Sequence, residues 1–290
     1  MTRPIENAAA TENIRLRLVT LNLWGEQGPF EKRFPLCQQE LRALDADVVA
    51  LQEVREIPGT LRNTAEQLAE HLGMSFVFAP ASAWGGGTEG LAILSRLPIA
   101  AHVVHDLPNE RPEERRVLLI ADIQTQVGTV IAATTHLHYR MTDGIAREQQ
   151  VEAIDRFLKA HAQSVSGGAK LTLLAGDFNA TPDSDELRFL RGLHTLGGRR
   201  TYYQDAFLCA TDEPKGPGYT WSRRNPYTQR LRFLQNDRRL DYIFVSPASR
   251  DGRGTVTDCR IVLDRADTDG VYPSDHFGLC AEVLLSPLPY

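Results

Sequence analysis

Short apolar runs that stop on a carboxylate, an amide or an imidazole recur along this chain, and they constrain its fold more than any other feature. Ile14–Asn22 alternates polar and apolar side chains and closes on Asn22, before a turn at Trp24-Gly25. Asp47–Val54 is a buried run with Glu53 near its end. Leu91–Leu94, Val117–Ile123, Val130–Leu137, Leu171–Phe178, Leu240–Val245 and Phe277–Leu284 read as further strands. Helical spacing occupies Phe30–Leu44, Leu61–Leu72, Gly144–His161 and Asp183–Leu193. The second puts Leu61, Ala65, Leu68 and Leu72 on one stripe. The fourth follows Thr181-Pro182, a capping residue and then a proline suited to a first helical turn. Many strands are too apolar to keep one face wet, so two sheets packed together with helices outside are predicted, an α/β sandwich.

No linker rich in proline, glycine or serine divides residues 14–290, which read as a single domain, with Gly85-Gly86-Gly87 and Gly197-Gly198 as loops inside it. A domain of that size buries roughly 75% of its unfolded surface. Residues 1–13 are polar and alanine-rich and read as a flexible N-terminal segment. They lack the apolar core of a signal peptide, and no stretch approaches the roughly 20 apolar residues of a membrane span. A cytoplasmic location is the expectation. Cys37, Cys209, Cys259 and Cys280 are scattered without a C-x-x-C pair and read as free thiols. The formal net charge of -5 offers no long-range pull on nucleic acid or anionic lipid. A bound cation can invert that sign locally.

The chemistry lies where polar residues interrupt the strands. Side chains alternate along Leu171–Asn179, so Asp177 and Asn179 project from one side at a strand end, where a cleft can form. Alone, Asp-Phe-Asn also reads as a turn. The same interruption recurs at Asn22, Glu53, His136 and His138, Asp241, and Asp275-His276. If those ends converge, they make an oxygen-rich pocket with imidazoles. Carboxylate and amide oxygens suit Mg²⁺ or Mn²⁺, and the lack of cysteine argues against structural zinc. Histidines move protons near neutral pH. Arg223, Arg224, Arg230, Arg232, Arg238 and Arg239 crowd a segment whose only acid is Asp237, either as a solvated loop or as a phosphate-binding rim.

Several motifs together resemble the endonuclease/exonuclease/phosphatase superfamily. They are Thr-Leu-Asn-Leu-Trp around Asn22, Leu-Gln-Glu-Val ending at Val54, Glu-Gly-Leu-Ala-Ile-Leu-Ser from Glu89, Thr-His-Leu-His, Gly-Asp-Phe-Asn, Leu-Asp-Tyr-Ile and Ser-Asp-His. They follow that family's order from about Ile14 to Leu285. The resemblance implies a four-layered α/β sandwich of two mostly antiparallel sheets, a Mg²⁺ site (Mn²⁺ as substitute), and hydrolysis of phosphodiesters or phosphomonoesters by in-line attack of water. Carried across by motif, Asn22 and Glu53 hold the metal and Asp275 completes its network. Asp177 orients or activates the water, with Asn179 assisting at the phosphate. His276, paired with Asp241, contacts phosphate or acts as general base. His136 serves the phosphate or the leaving group, with Glu89 as its carboxylate partner. Arg223, Arg224 and His138 are expected at the substrate. Whether the water's proton goes to a histidine or to Asp177 stays open.

The His-Leu-His run at 136–138 resembles sphingomyelinases, inositol-polyphosphate phosphatases and pancreatic-type deoxyribonucleases; abasic-site endonucleases typically carry tyrosine at the first position. The run Arg-Leu-Asp-Tyr-Ile-Phe-Val ending at Val245 resembles the sphingomyelinase-like group. A small or lipid phosphodiester is therefore the favoured substrate, a nuclease acting on DNA or RNA is the alternative, and a non-catalytic binding protein the third. Trp221 and Tyr227 read as packing residues, Trp84 as a weak candidate for membrane contact. No protein partner can be inferred.

Overall fold

Val19 and Leu21 face one way along the first strand, Leu16 and Leu18 the other, and both sets are buried. A strand apolar on both faces needs a cover on each side. The computed structural model shows what covers them. It describes residues 14–111, 113–166, 171–210, 216–231 and 237–286; the expected flexible segment 1–13 lies outside these.

The first half of the chain runs β1 (Arg15–Asn22), α1 (Phe30–Leu44), β2 (Val48–Glu56), α2 (Thr64–Leu72), β3 (Ser75–Trp84), β4 (Gly87–Ser95), β5 (Ile99–Asp106), β6 (Val117–Thr125) and β7 (Gly128–His136). It continues with α3 (Gly144–Ser164), β8 (Leu171–Asp177), α4 (Asp185–Leu190), β9 (Gln204–Asp205), α5 (Ala206–Cys209), β10 (Asp241–Val245), β11 (Val256–Val262) and β12 (Gly278–Leu284). One six-stranded sheet has the order β11-β12-β1-β2-β4-β3, the other β5-β6-β7-β8-β10-β9. Both repeat one pattern of directions. The central pairs β1–β2 and β7–β8 are parallel, and each is joined through a helix, α1 or α3. The remaining pairs are antiparallel.

Between the sheets lies a core that includes Leu18, Ala50, Ile93, Leu119, Ala132, Leu173, Ile243 and Leu279. Phe34 and Leu41 of α1 and Leu68 of α2 cover the outer face of the first sheet. Ile154 and Leu158 of α3 and Leu187 of α4 cover that of the second. The result is the expected four-layered α/β sandwich, with mostly antiparallel sheets.

Two helix starts differ from the sequence reading. α2 begins at Thr64, because the Asn63 side chain accepts from the N–H groups of Ala65 (2.9 Å) and Glu66 (3.2 Å) and so caps it. Leu61 instead forms a bridge with Ile57. α4 begins at Asp185, and Thr181-Pro182 forms the turn before it, closed by Ser184 N–H to Thr181 O at 2.9 Å. The cysteines are free thiols, three of them buried. Among the described residues, no helix is long and apolar enough to cross a membrane.

Candidate active site

The two-residue period of the strands places the polar ends. Leu171, Leu173 and Ala175 face the core between the sheets, so Asp177 continues on that side. The same parity carries Val130 and Ala132 to His136, Ile243 and Val245 back to Asp241, and Leu16 and Leu18 to Asn22. His136 and Asp241 are the register partners of Asp177 on β7 and β10. One layer below, Gln52 Nε2 donates to Thr134 Oγ1 at 2.9 Å and to Thr20 Oγ1 at 3.2 Å, a buried polar floor joining the sheets.

Glu53 breaks the parity. The β2–β4 register shifts between Leu51 and Val54, and Glu53 sits at φ 51°. A bulge re-aims a side chain, and a non-glycine residue held in the left-handed region is strain typical of functional sites. The Asn22 amide closes the gap between the sheets. Its Nδ2 donates to Glu53 Oε1 at 2.9 Å and to Asp177 Oδ2 at 3.0 Å, while its Oδ1 accepts from Trp24 N–H at 2.9 Å. Asn22 was expected to hold the metal together with Glu53. Here its Nδ2 donates to both carboxyl groups, and its Oδ1 is engaged by Trp24 N–H.

His276 Nδ1 lies 2.8 Å from Asp241 Oδ2, and its Nε2 is 3.7 Å from Asp177 Oδ2. His136 Nε2 approaches the same Asp177 oxygen at 3.5 Å. Asn179, at φ 51°, donates its backbone N–H to Asp177 Oδ1 at 2.8 Å and its Nδ2 to Leu137 O at 3.1 Å. Asp275 is buried beside Ser274, whose hydroxyl donates to Asn22 O at 2.6 Å.

Burial and neighbours set the charges. Burial, with Glu89 and Asp275 nearby, pushes the Glu53 carboxyl up to about 8. Burial raises Asp177 to about 6 against the opposing pull of His276. Burial alone would lower His276, but Asp241, Asp177 and Asp275 outweigh it and hold the ring well above its ordinary value, as imidazolium. Burial, with Arg116 and His276 adding repulsion, pushes His136 well below its ordinary value, so it stays neutral.

These groups open on a cleft of about 290 Å³ lined by Glu53, Asp177, Asn179, Asp275 and His276, together with Trp24, Tyr139, Trp221 and Arg238. Trp221 stands edge-on to His276 with ring centroids 5.0 Å apart, so it packs and also faces the cleft. Tyr227 stacks on Trp24 at 4.8 Å. Neither Trp24 nor Tyr139 was expected at the cleft, although Trp24 closes the Thr-Leu-Asn-Leu-Trp motif and Tyr139 directly follows Thr-His-Leu-His.

Other expected residues are held differently. Glu89 stays beside the site, near enough to Glu53 to raise its carboxyl and lining a small cavity with His136, but it accepts from Trp84 Nε1 at 3.1 Å and, among the described residues, makes no ion pair with His136. Trp84 has Arg55 stacked over its ring at 4.1 Å and keeps 43% of its surface exposed. His138 is buried, with Nε2 3.0 Å from Asn109 Oδ1 and Nδ1 3.3 Å from Glu114, so its side chain is held by these two residues rather than lining the cleft. Arg223 pairs with Asp237 (3.4 Å) and Arg224 with Asp264 (3.2 Å) at the surface. Of the arginine segment it is Arg238 that lines the cleft, while Arg239 is buried against Asp205. Arg232 and the side chain of Arg230 lie outside what the structure describes.

The donor set fits a hard divalent cation. Glu53, half-buried, and Asp275, buried, are carboxylates that repel each other, and Asp241 Oδ1 is buried without a hydrogen-bond partner. Asp177, Asp241 and His276 also offer ligand atoms within 4.8 Å of one another. The bond between His276 and Asp241 already engages that trio, which leaves Glu53 and Asp275 as the better oxygen pair for Mg²⁺ or Mn²⁺.

The profile of the Endonuclease/Exonuclease/phosphatase family matches residues 19–276. The protein YbhP of Escherichia coli K12 is 27% identical over 180 residues, spanning 58% of this chain and 68% of YbhP. Among solved structures, truncated TDP2 of Caenorhabditis elegans superposes with a TM-score of 0.71 at 18% identity, covering 93% of this chain and 97% of that one. The human nocturnin catalytic domain with bound sulfate gives 0.69 at 22%, covering 94% of each chain. An endonuclease/exonuclease/phosphatase from Beutenbergia cavernae gives 0.68 at 22%, covering 94% of this chain and 72% of that one. At such identities the superpositions speak for the fold alone.

Proposed function

Since this chain belongs to the endonuclease/exonuclease/phosphatase family, whose members are hydrolases of phosphoester bonds and typically need a divalent metal, we propose that it is a Mg²⁺- or Mn²⁺-dependent phosphoesterase. The observation that carries this reading is the convergence of Asn22 and Glu53 from one sheet with His136, Asp177 and Asp241 from the other, linked by the contacts of Asn22, His136 and His276 to Asp177 and of His276 to Asp241, where Glu53, Asp177, Asp275 and His276 line one cleft.

Glu53 and Asp275 would hold the cation, with Asn22 fixing the Glu53 carboxylate through its amide N–H. Bound there, the ion would neutralise charge on a phosphoryl oxygen and on the departing oxygen. Asp177 takes the proton of the attacking water. It is the acid poised near neutrality, and His276, already protonated, has no lone pair to offer. His276 instead presents a cation to the phosphoryl oxygens, oriented by Asp241. Neutral His136 and the Asn179 side of the cleft assist at the phosphate and leaving group. No side chain is phosphorylated along this route.

A small phosphodiester or phosphomonoester suits the cleft better than a duplex. Its volume is about 290 Å³, and Arg223 and Arg224 are engaged by acids rather than aligned along a backbone groove. The test is a panel of bis(p-nitrophenyl) phosphate, sphingomyelin, inositol phosphates, plasmid DNA and single-stranded RNA, with and without chelator. Chelator-sensitive turnover of the small or lipid esters is expected. Preferential cleavage of nucleic acid with steep salt dependence would replace this substrate class with a nuclease. No turnover of any ester with Mg²⁺ or Mn²⁺ would leave a binding protein.

A further inference from the structure

Arg33 lies on α1, outside every motif, and its side chain is buried. A guanidinium carries five N–H donors in a rigid fork, and this one spends them on backbone carbonyls of two cleft segments. Nε donates to Gln27 O at 2.8 Å, and Nη2 to Trp24 O at 2.9 Å and Gly25 O at 2.7 Å. Nη1 donates to Leu23 O at 2.7 Å and to Pro273 O at 3.3 Å. The fork also lies over the Trp24 ring, 5.1 Å from its centroid.

What it holds includes one strained residue. Trp24 sits at φ 58°, in the left-handed region that a non-glycine side chain rarely adopts, whereas Gly25 (φ 46°) and Gly28 (φ 65°) take it without steric cost. A non-glycine residue persists there only where the surroundings over-determine it. The loop in turn sets the site. Trp24 N–H is the donor to Asn22 Oδ1, and this contact aims Asn22 Nδ2 at Glu53 and Asp177. Pro273 adjoins Ser274, whose hydroxyl bonds Asn22 O, and Asp275 follows. One guanidinium therefore bridges the segment behind Asn22 to the segment that carries Asp275 and His276.

Resting on the proposed phosphoesterase reading, we propose that Arg33 is a positioning residue. It sets the Asn22 amide and the Pro273–His276 segment at the spacing that the cation pocket requires. It touches no substrate and acts through the two loops. Residues that orient metal ligands typically change metal affinity or activity by about 10–100-fold when lost.

The experiment measures the Mn²⁺ dissociation constant by titration of the full-length protein, alongside kcat/KM for bis(p-nitrophenyl) phosphate, well below each variant's melting temperature. Arg33→Gln is expected to weaken Mn²⁺ binding by about tenfold or more, with Arg33→Lys intermediate because it keeps the charge but has fewer donors. Asp155→Ala is the control. Asp155 is buried on α3, the helix that covers the outer face of the second sheet, where it accepts from Thr201 (2.6 Å), Tyr203 (3.3 Å) and Lys159 (3.0 Å), so its loss lowers the melting temperature while Mn²⁺ affinity stays as in wild type. If Arg33→Gln does not fold, Gly28→Ala reads the same linkage with the guanidinium intact, since a methyl there overlaps the Trp24 ring. It too is expected to weaken Mn²⁺ binding. Folded Arg33→Gln or Gly28→Ala protein with wild-type Mn²⁺ affinity overturns the inference and leaves the functional reading standing. A wild-type protein that binds no Mn²⁺ withdraws both.

Discussion

His276 directs Nδ1 to Asp241 Oδ2 at 2.8 Å while its Nε2 looks into the cleft, 3.7 Å from Asp177 Oδ2. The pairing fixes the ring's orientation and stabilises its charge. Asp241→Asn keeps the shape and removes that charge, and it is expected to lower kcat by at least about 10²-fold, as is His276→Ala. Steady-state kinetics on folded protein decide the matter. Near-wild-type turnover by either variant takes the pair out of the mechanism.

Glu53 makes cation binding depend on pH. Its carboxyl is raised to about 8 in the folded protein, above its ordinary 4.5, so the fold binds a proton there that the unfolded chain has released. Without metal, this group erodes stability as pH climbs from 4.5 towards 8. A cation must displace the proton, so its apparent affinity should rise with pH up to about 8, by no more than about tenfold per unit for one proton. Calorimetry in buffers of different ionisation enthalpy detects the released proton. Mn²⁺ affinity that stays flat from pH 5 to 8 would contradict it.

The arginine segment separates by location. Arg238 lines the cleft, whereas Arg223 and Arg224 pair with acids at the surface. Arg238→Ala should raise KM by about tenfold, which corresponds to about 1.4 kcal/mol, and Arg223→Ala and Arg224→Ala should shift it little. The reverse ranking would return the rim to the role that its sequence first invited.

Arg239 and Asp205 form a buried two-pronged pair at 2.8 and 2.7 Å. Asp205→Ala strands a buried guanidinium and should cost about 3–5 kcal/mol in denaturant unfolding, whereas replacing both partners with apolar residues should cost much less. Equal losses would show that the pair is not what matters there.

Direct attack by water, with no phosphorylated side chain, inverts the configuration at phosphorus. A chiral phosphate substrate reads this out, and retention would require a covalent intermediate that no residue here was assigned to form.

The strands legible in the sequence were the eight inside the two sheets, β1, β2, β4, β6, β7, β8, β10 and β12; the unread ones, β3, β5, β9 and β11, are the four edges. Interior strands are buried on both faces and read as apolar runs, while β5 exposes Ala100, Ala101 and His102 and loses that signal. Pro80 further disguises β3. In the site, Asn22, Asp177 and Asp241 were readable because strand parity carries them. Glu53 is less transparent, since it depends on a bulge that only pairing with β4 reveals. His138 departs from its expected place for a different reason. Its chemistry is right for a site, but Asn109 and Glu114 engage it first. Arg33 was invisible as a functional residue because its partners are carbonyls, which carry no sequence signature.

The Asn22–Asp177 hydrogen bond crosses from one sheet to the other, and this makes turnover a gauge of cooperativity. On the proposed mechanism neither half of the sandwich contains a working set of groups, so a partly opened molecule with both sheets intact but undocked would be silent. In a urea titration, the loss of activity should coincide with or precede the loss of near-ultraviolet circular dichroism, and never lag behind it.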